Sequence, residues 1–223
     1  MKKYNLTQFV AIIAIFGFSL SVYAQDTNER FPKIIYELGI GKGTLIGVQN
    51  LSPWGVDYRK NYSGGFYWQM QAIFVFRNNL SLGLKGDMFT TAGNYVISNN
   101  QRVIENIMIG YLAPQIGIVR PVSSRMSIIA NIGIGYALYH SSGLLDNTEY
   151  LIRSNMLGFN MDFSMDYLLT KNLAMGYRAS LFSAHSRNLH RDINGVKDKI
   201  ELNNWDRISP NRFGFSVFLR RYF

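Results

Sequence analysis

The sequence predicts an all-β fold, an eight-stranded antiparallel up-and-down transmembrane barrel, on three observations. Large apolar residues recur at every second position in eight segments, turns of alternating length join the segments, and an export leader opens the chain of 223 residues. Composition agrees. Hydrophobic residues make up 48% of the chain, yet no apolar run after Ala24 approaches the roughly 20 residues of a membrane helix. Apolar content spread in this way is what period-two alternation produces.

The leader reads MKKYNLTQFVAIIAIFGFSLSVYAQD. Lys2 and Lys3 give it a positive start, Phe9 to Leu20 is apolar apart from Gly17 and Ser19, and Val22-Tyr23-Ala24 offers a cleavage site. The run is short for a membrane span, and no stop-transfer charges follow it. Residues 1–24 are therefore expected to be a cleaved signal peptide, and residues 25–223 a single barrel domain without an internal linker. The chain has no cysteine, which excludes a lipid-anchored lipoprotein, disulfides and thiolate metal sites.

The first segment places Ile34, Tyr36, Leu38 and Ile40 against Glu37, Gly39 and Gly41. The second sets Phe66, Trp68, Met70, Ala72, Phe74 and Phe76 against Tyr67, Gln69 and Gln71, with Ile73 and Val75 blurring it. The third sets Leu80, Leu82, Leu84 and Met88 against Ser81, Gly83, Lys85 and Asp87. Ile107, Ile109, Tyr111 and Ala113 form the fourth apolar face, with a bulge expected at Pro114, which lacks a ladder donor. The fifth carries Ile128, Ala130, Ile132, Ile134, Tyr136 and Leu138, and the sixth Leu157, Phe159, Met161, Phe163, Met165 and Tyr167. The seventh carries Leu173, Met175, Tyr177, Ala179 and Leu181, and the eighth Phe213, Phe215, Val217 and Leu219.

Short turns are expected at Arg77-Asn78-Asn79, Pro121 to Ser124 and Thr170-Lys171-Asn172. Long loops are expected over Gly43 to Gly64, Thr90 to Gln101, His140 to Ser154 and Ser183 to Ser209. That alternation suits a membrane barrel with short turns on one side. Eight strands enclose a space only wide enough for side chains to fill. Ladders such as Phe159-Met161-Phe163-Met165-Tyr167 would overfill it, so the apolar faces are expected to point to lipid and the small and polar faces inward.

An open edge in lipid would strand backbone N–H and C=O groups, so the last segment must pair with the first. The stretch RFGFSVFLRRYF ends on Phe223, with Leu219, Val217 and Phe215 alternating behind it and Gly214 nearby. It resembles the C-terminal β-signal of outer-membrane barrels, departing from it at the outward Arg221, which can snorkel at a membrane rim. The chain from Gln25 onward resembles the small outer-membrane β-barrel family, of the OmpA/OmpX type in size. The resemblance implies integral residence in the outer membrane of a Gram-negative bacterium. It also implies outer-membrane lipids as surroundings and the barrel assembly machinery as a partner during biogenesis.

The formal net charge of +9 falls to +7 without Lys2 and Lys3. A basic chain suggests nucleic acid, but an export leader argues against that partner. Arg77, Arg120, Arg125, Lys171, Arg220 and Arg221 fall at the short-turn end, where the turns carry no acid, and form an expected basic periplasmic rim. The last loop mixes Arg187, Arg191, Lys197, Lys199 and Arg207 with Asp192, Asp198, Glu201 and Asp206. Glu37, Lys85, Asp87, Asp162, Asp166, Arg178 and Arg212 share the inward parity. Asp162 and Arg178, each eight residues from Thr170, are expected to pair, because a bare charge in a filled interior is costly.

Catalytic signals are sparse. His140-Ser141-Ser142 is an H-x-S arrangement resembling that of outer-membrane lipid A deacylases, without the Asn that usually follows. His185 and Ser186 are neighbours on a strand and point apart. Gly39, Gly41, Gly133 and Gly135 form no nucleotide fingerprint, and no metal constellation occurs. The expectation is a barrel without catalysis, cofactor or metal, serving as a structural or interaction platform through its outer loops and basic rim. Two alternatives are an accessory subunit of an envelope secretion or assembly complex, and a lipid-modifying barrel enzyme or narrow pore.

Overall fold

The computed structural model describes residues 34–49, 56–97, 100–146, 148–202 and 207–223. The expected leader, residues 1–24, and Asp206 of the last loop lie outside the described residues. In chain order the elements are β1 (Ile34–Leu45), β2 (Val48–Gln49), β3 (Val56–Asp57), α1 (Tyr58–Asn61), β4 (Tyr62–Val75), β5 (Leu80–Val96) and β6 (Arg102–Pro121). Then follow β7 (Met126–Leu145), β8 (Thr148–Leu168), β9 (Leu173–His185), β10 (Asn188–Ile193), β11 (Val196–Glu201) and β12 (Arg212–Tyr222).

Eight strands close into an antiparallel ring: β1-β4-β5-β6-β7-β8-β9-β12, with β12 returning to β1. Closure pairs Glu37 with Arg220 and Leu45 with Arg212 across the first and last strands, so no edge faces lipid. At one end the three connections are tight, at Phe76–Asn79, Val122–Arg125 and Leu169–Asn172, and at the other β7 and β8 are joined across residues 146–147 alone. In the first of them Asn79 sits at φ 66°, a left-handed conformation that asparagine tolerates better than most residues.

The other end of the ring is taller than the loop lengths imply. β6 and β7 run for 20 residues each and β8 for 21, where about 9–11 cross a membrane. Much of Thr90 to Gln101 and His140 to Ser154, expected as loop, is continuous ladder, because alternation persists there through Tyr95, Val103, Tyr150 and Ile152. Within the last long connection, β10 and β11 form a hairpin turned by Asn194 and Gly195, both at positive φ. β10 also pairs with the top of β8 and extends the wall sideways.

Outward faces match the expected parity in seven strands. Leu157, Tyr177, Phe215 and Leu38 are among the most exposed large apolar groups. β6 reverses the expectation: Ile107, Ile109, Tyr111 and Ala113 face inward and are buried, while Met108, Leu112, Ile116 and Ile118 face out. Both faces of this stretch are apolar, so periodicity alone does not choose between them. Glu105 and Gln115 share the parity of Ile107 and would lie in lipid in the opposite setting. No bulge occurs at Pro114, since Leu112 opposes Tyr136 and Gln115 opposes Gly133 in one unbroken register.

At the seam, the Phe223 amide donates to the Ile34 carbonyl at 2.9 Å, and its ring meets Tyr36 edge-on at 5.6 Å. Deleting Phe223 removes the last bond of the seam and Phe223→Asp puts a charge on its outward end, so either should lower the amount of assembled barrel in outer membranes. Semi-native gel mobility measures it, and wild-type amounts of the folded band would refute the terminal strand's role.

Candidate functional site

The strongest concentration of chemistry is the lumen, built in two storeys. Nearest the short turns, Glu37 on β1 takes a two-pronged ion pair from Arg178 on β9, Nη1 at 2.6 Å from Oε1 and Nη2 at 2.7 Å from Oε2. Arg220 on β12 reaches the same Glu37, pairs with Asp166 on β8, and donates to Ser164 at 3.1 Å. Tyr222 donates its hydroxyl to Asp166. One level up, Lys85 on β5 holds both oxygens of Asp162 at 2.8 Å and lies 3.6 Å from Asp87, which Arg212 meets at 3.0 Å. Asp162 also accepts from Ser180 at 2.6 Å, Asn160 at 2.9 Å and Gln115 at 3.1 Å.

Four cations thus face four carboxylates, all nearly inaccessible to water. Neutralised and hydrogen-bonded in this way, they avoid the penalty of an isolated buried charge. The rings of Phe218, Tyr67, Phe89 and Phe182 complete the cation shell: Arg220 lies 4.3 Å from the Phe218 centroid and Arg212 4.8 Å from that of Tyr67.

The upper storey is aromatic around one carboxylate. Glu105 on β6 is 1% exposed and accepts from the hydroxyls of Tyr62, Tyr95 and Ser141, the Tyr95 bond being 2.8 Å. Tyr58, on the short helix α1, stacks edge-on against Tyr62 at 5.3 Å and shares a hydrogen bond with Tyr139, so α1 is fastened over the mouth. The ladder from Phe159 to Tyr167 faces outward as expected, but the upper lumen holds rings where small and polar groups were expected. Lumen glycines make the room: a Cβ on Gly158 would lie 2.9 Å from both Tyr111 and Phe182, and one on Gly214 would lie 2.8 Å from the Tyr67 ring.

All seven expected lumen charges, Glu37, Lys85, Asp87, Asp162, Asp166, Arg178 and Arg212, are buried inside. Two corrections concern their partners. Arg220, expected on the basic rim, is wholly buried and ion-paired, because it alternates with the outward Leu219 and Arg221. Asp162 does not pair with Arg178. The four-residue turn Leu169–Asn172 sets Asp162 opposite Ser180 and Ser164 opposite Arg178, shifting the contact by two residues. Glu105 escaped the sequence reading with the inverted β6 face, although its own charge is the signal that would have righted it.

Arg77, Arg125, Lys171 and Arg221 are exposed at the short-turn end and Arg120 is half-buried there. Phe215, Val217, Leu219 and Phe223 all face outward. The histidines do not assemble a nucleophile. His140 alternates with the buried Ser141, whose hydroxyl is given to Glu105, and His185 is exposed where Ser186 is buried. Among the described residues no hydrogen bond joins a histidine to a serine, and no cluster of three or more His, Asp or Glu is placed to hold a metal.

No family model matches the chain, and no curated protein matches it in sequence. Solved structures do match in fold. A major outer membrane protein from Thermus thermophilus is 13% identical with a TM-score of 0.57, over 85% of this chain and 99% of that one. OprG from Pseudomonas aeruginosa is 9% identical with a TM-score of 0.55, over 87% and 97%. Neisserial surface protein A is 12% identical with a TM-score of 0.50, over 87% and 100%. The fold is thus that of the small integral outer-membrane β-barrels, and the apolar belt around a closed ring is a surface for lipid.

Two stability outcomes follow from the lumen. Lys85→Met leaves the carboxylates of Asp162 and Asp87 short of a cation and should cost about 3–5 kcal/mol, with Asp162→Asn in the same chain recovering part of the loss. Glu105→Leu should cost more than Glu105→Gln, because each buried hydroxyl left without an acceptor costs about 1–3 kcal/mol. Urea unfolding in lipid vesicles reads both. Equal effects of the Lys85 single and double variants would deny the pairing, and equal effects at position 105 would deny the hydroxyl cage.

Proposed function

We propose that the protein is a non-catalytic platform of the outer membrane, acting through its loops and its basic turn end rather than through its lumen. The observation that carries this reading is the filled interior. Among the described residues both lumen storeys are occupied by paired charges or packed rings, and Tyr58 pins α1 beside Tyr62 and Tyr139 at the loop end. The hairpin β10–β11, by contrast, stands outside the ring with Lys197, Asp198, Lys199 and Glu201 exposed.

In this reading the short turns face the periplasm. Arg77, Arg125, Lys171 and Arg221, with Arg120, then meet phospholipid phosphates of the inner leaflet, each cation contributing on the order of 1 kcal/mol. The barrel assembly machinery engages the terminal strand during biogenesis. Service as an accessory subunit of an envelope complex is the second reading, favoured by the projecting hairpin. Proteins co-purifying with the detergent-solubilised barrel, lost when residues 188–201 are replaced by a short turn, would select it.

An epitope placed within residues 194–195 should be labelled on intact cells and one within 170–172 should not. The reverse pattern inverts the orientation. In planar bilayers the protein should give no steady large single-channel currents, since eight strands leave no open bore. Sustained currents of that kind would replace the platform reading with a pore.

A further inference from the structure

Four neighbouring strands bring four basic side chains into one row at the loop end. His140 of β7 stands opposite Arg153 of β8, Arg153 opposite His190 of β10, and His190 opposite Lys199 of β11. Strands are spaced about 4.7–4.9 Å apart, so the row runs for roughly 15 Å around the wall. Arg153, His190 and Lys199 are exposed and His140 is half-buried. None of the four makes an ion pair among the described residues. The acids on the same outward face, Glu149, Asp192 and Glu201, oppose Leu144, Lys197 and Asn188 and so flank the row without entering it.

The row borders the lipid-facing belt. His140 follows the outward Leu138 by two residues, and Arg153 precedes the outward Leu157 by four, with Asn155 between. At about 3.4 Å per residue on tilted strands, the row stands at the level of lipid head groups. Edge protection is the plainer account of Lys199, because β11 ends the sheet and lysines deter edge pairing. It does not account for His140 and Arg153, which lie on strands paired on both sides.

We infer that this row docks the phosphorylated head group of an outer-leaflet lipid, phosphates against the charges of Arg153 and Lys199 and the N–H groups of His140 and His190, and acyl chains down the belt below Leu138 and Leu157. Charge complementarity and continuity with the apolar belt together select an anionic amphiphile over a soluble polyanion, which would use the cations alone. The inference rests on the orientation proposed above, which intact-cell labelling tests separately, whereas binding in detergent does not depend on it.

Native mass spectrometry of the full detergent-solubilised barrel measures retention of added diphosphoryl lipid A, its dephosphorylated counterpart and inorganic phosphate. The diphosphoryl lipid should be retained and the dephosphorylated lipid lost. Arg153→Gln/Lys199→Gln should weaken retention by about tenfold or more, given the per-cation attraction of an anionic surface. Arg153→Lys/Lys199→Arg, which keeps the charge, should retain the lipid. Arg59→Gln/Lys60→Gln, which removes equal charge from exposed α1, should leave retention unchanged. Equal loss in the α1 variant would make the effect one of net charge and overturn the site. Equal retention of the dephosphorylated lipid, or displacement of the lipid by equimolar inorganic phosphate, would overturn it as well.

Discussion

Closure of the ring is the constraint on which the rest depends. In hydrocarbon every backbone donor and acceptor must find a partner within the protein, and a sheet meets that demand only by joining its last strand to its first. Here β12 pairs with β1 along its whole length, down to the Phe223 amide on the Ile34 carbonyl. Once eight strands are closed, the interior has a fixed and narrow width. Side chains must then fill it without a central channel of water to solvate them, and each inward position becomes a packing problem.

The two storeys are different solutions to that problem. Near the short turns the strands carry charged and amide side chains, and these neutralise one another in a lattice reaching across the lumen, Glu37 serving both Arg178 and Arg220. Such a lattice fixes register as well as charge, since a one-residue slip of β12 would turn both Arg220 and Arg212 to lipid and leave Glu37 and Asp87 inside, each short of a cation. Higher up, rings replace charges, and glycines give several of them their space, Gly158 beside Tyr111 and Phe182 and Gly93 beside Tyr62. Glu105 sits among them with hydroxyl donors in place of a cation, an arrangement that ties α1 and the tops of β4 to β7 into one cap.

Much of this was legible in period two. Seven strands, the three tight turns and the inward set from Glu37 to Arg212 all follow from counting alternate residues. Three features did not. The face of β6 was illegible because Ile107, Met108 and Ile109 are all apolar, and only the distant Glu105 and Gln115 break the tie. The partner of Asp162 depends on a turn width that sequence does not state, and two residues of slip exchange Arg178 for Ser180. Arg220 was read by its place near the terminus, when its parity with Ser216 and Gly214 already placed it inside. In each case the deciding fact was cross-strand, and a single strand's pattern does not contain it.

The same cross-strand logic separates the two ends of the molecule. At the short turns the cations sit on separate hairpins and gather only because the turns gather, so Arg77, Arg125 and Lys171 form a loose collar. At the loop end, β10 docks on β8 above the point where β9 leaves it, and this branching brings His190 and Lys199 beside Arg153. The row exists only because β8 carries two partners, β9 below and β10 above. A wall that merely crossed the membrane would need neither the extra turns of ladder on β8 nor the hairpin. The residues spent beyond the belt therefore shape a surface, and the charge they align is positive where the belt gives way to head groups.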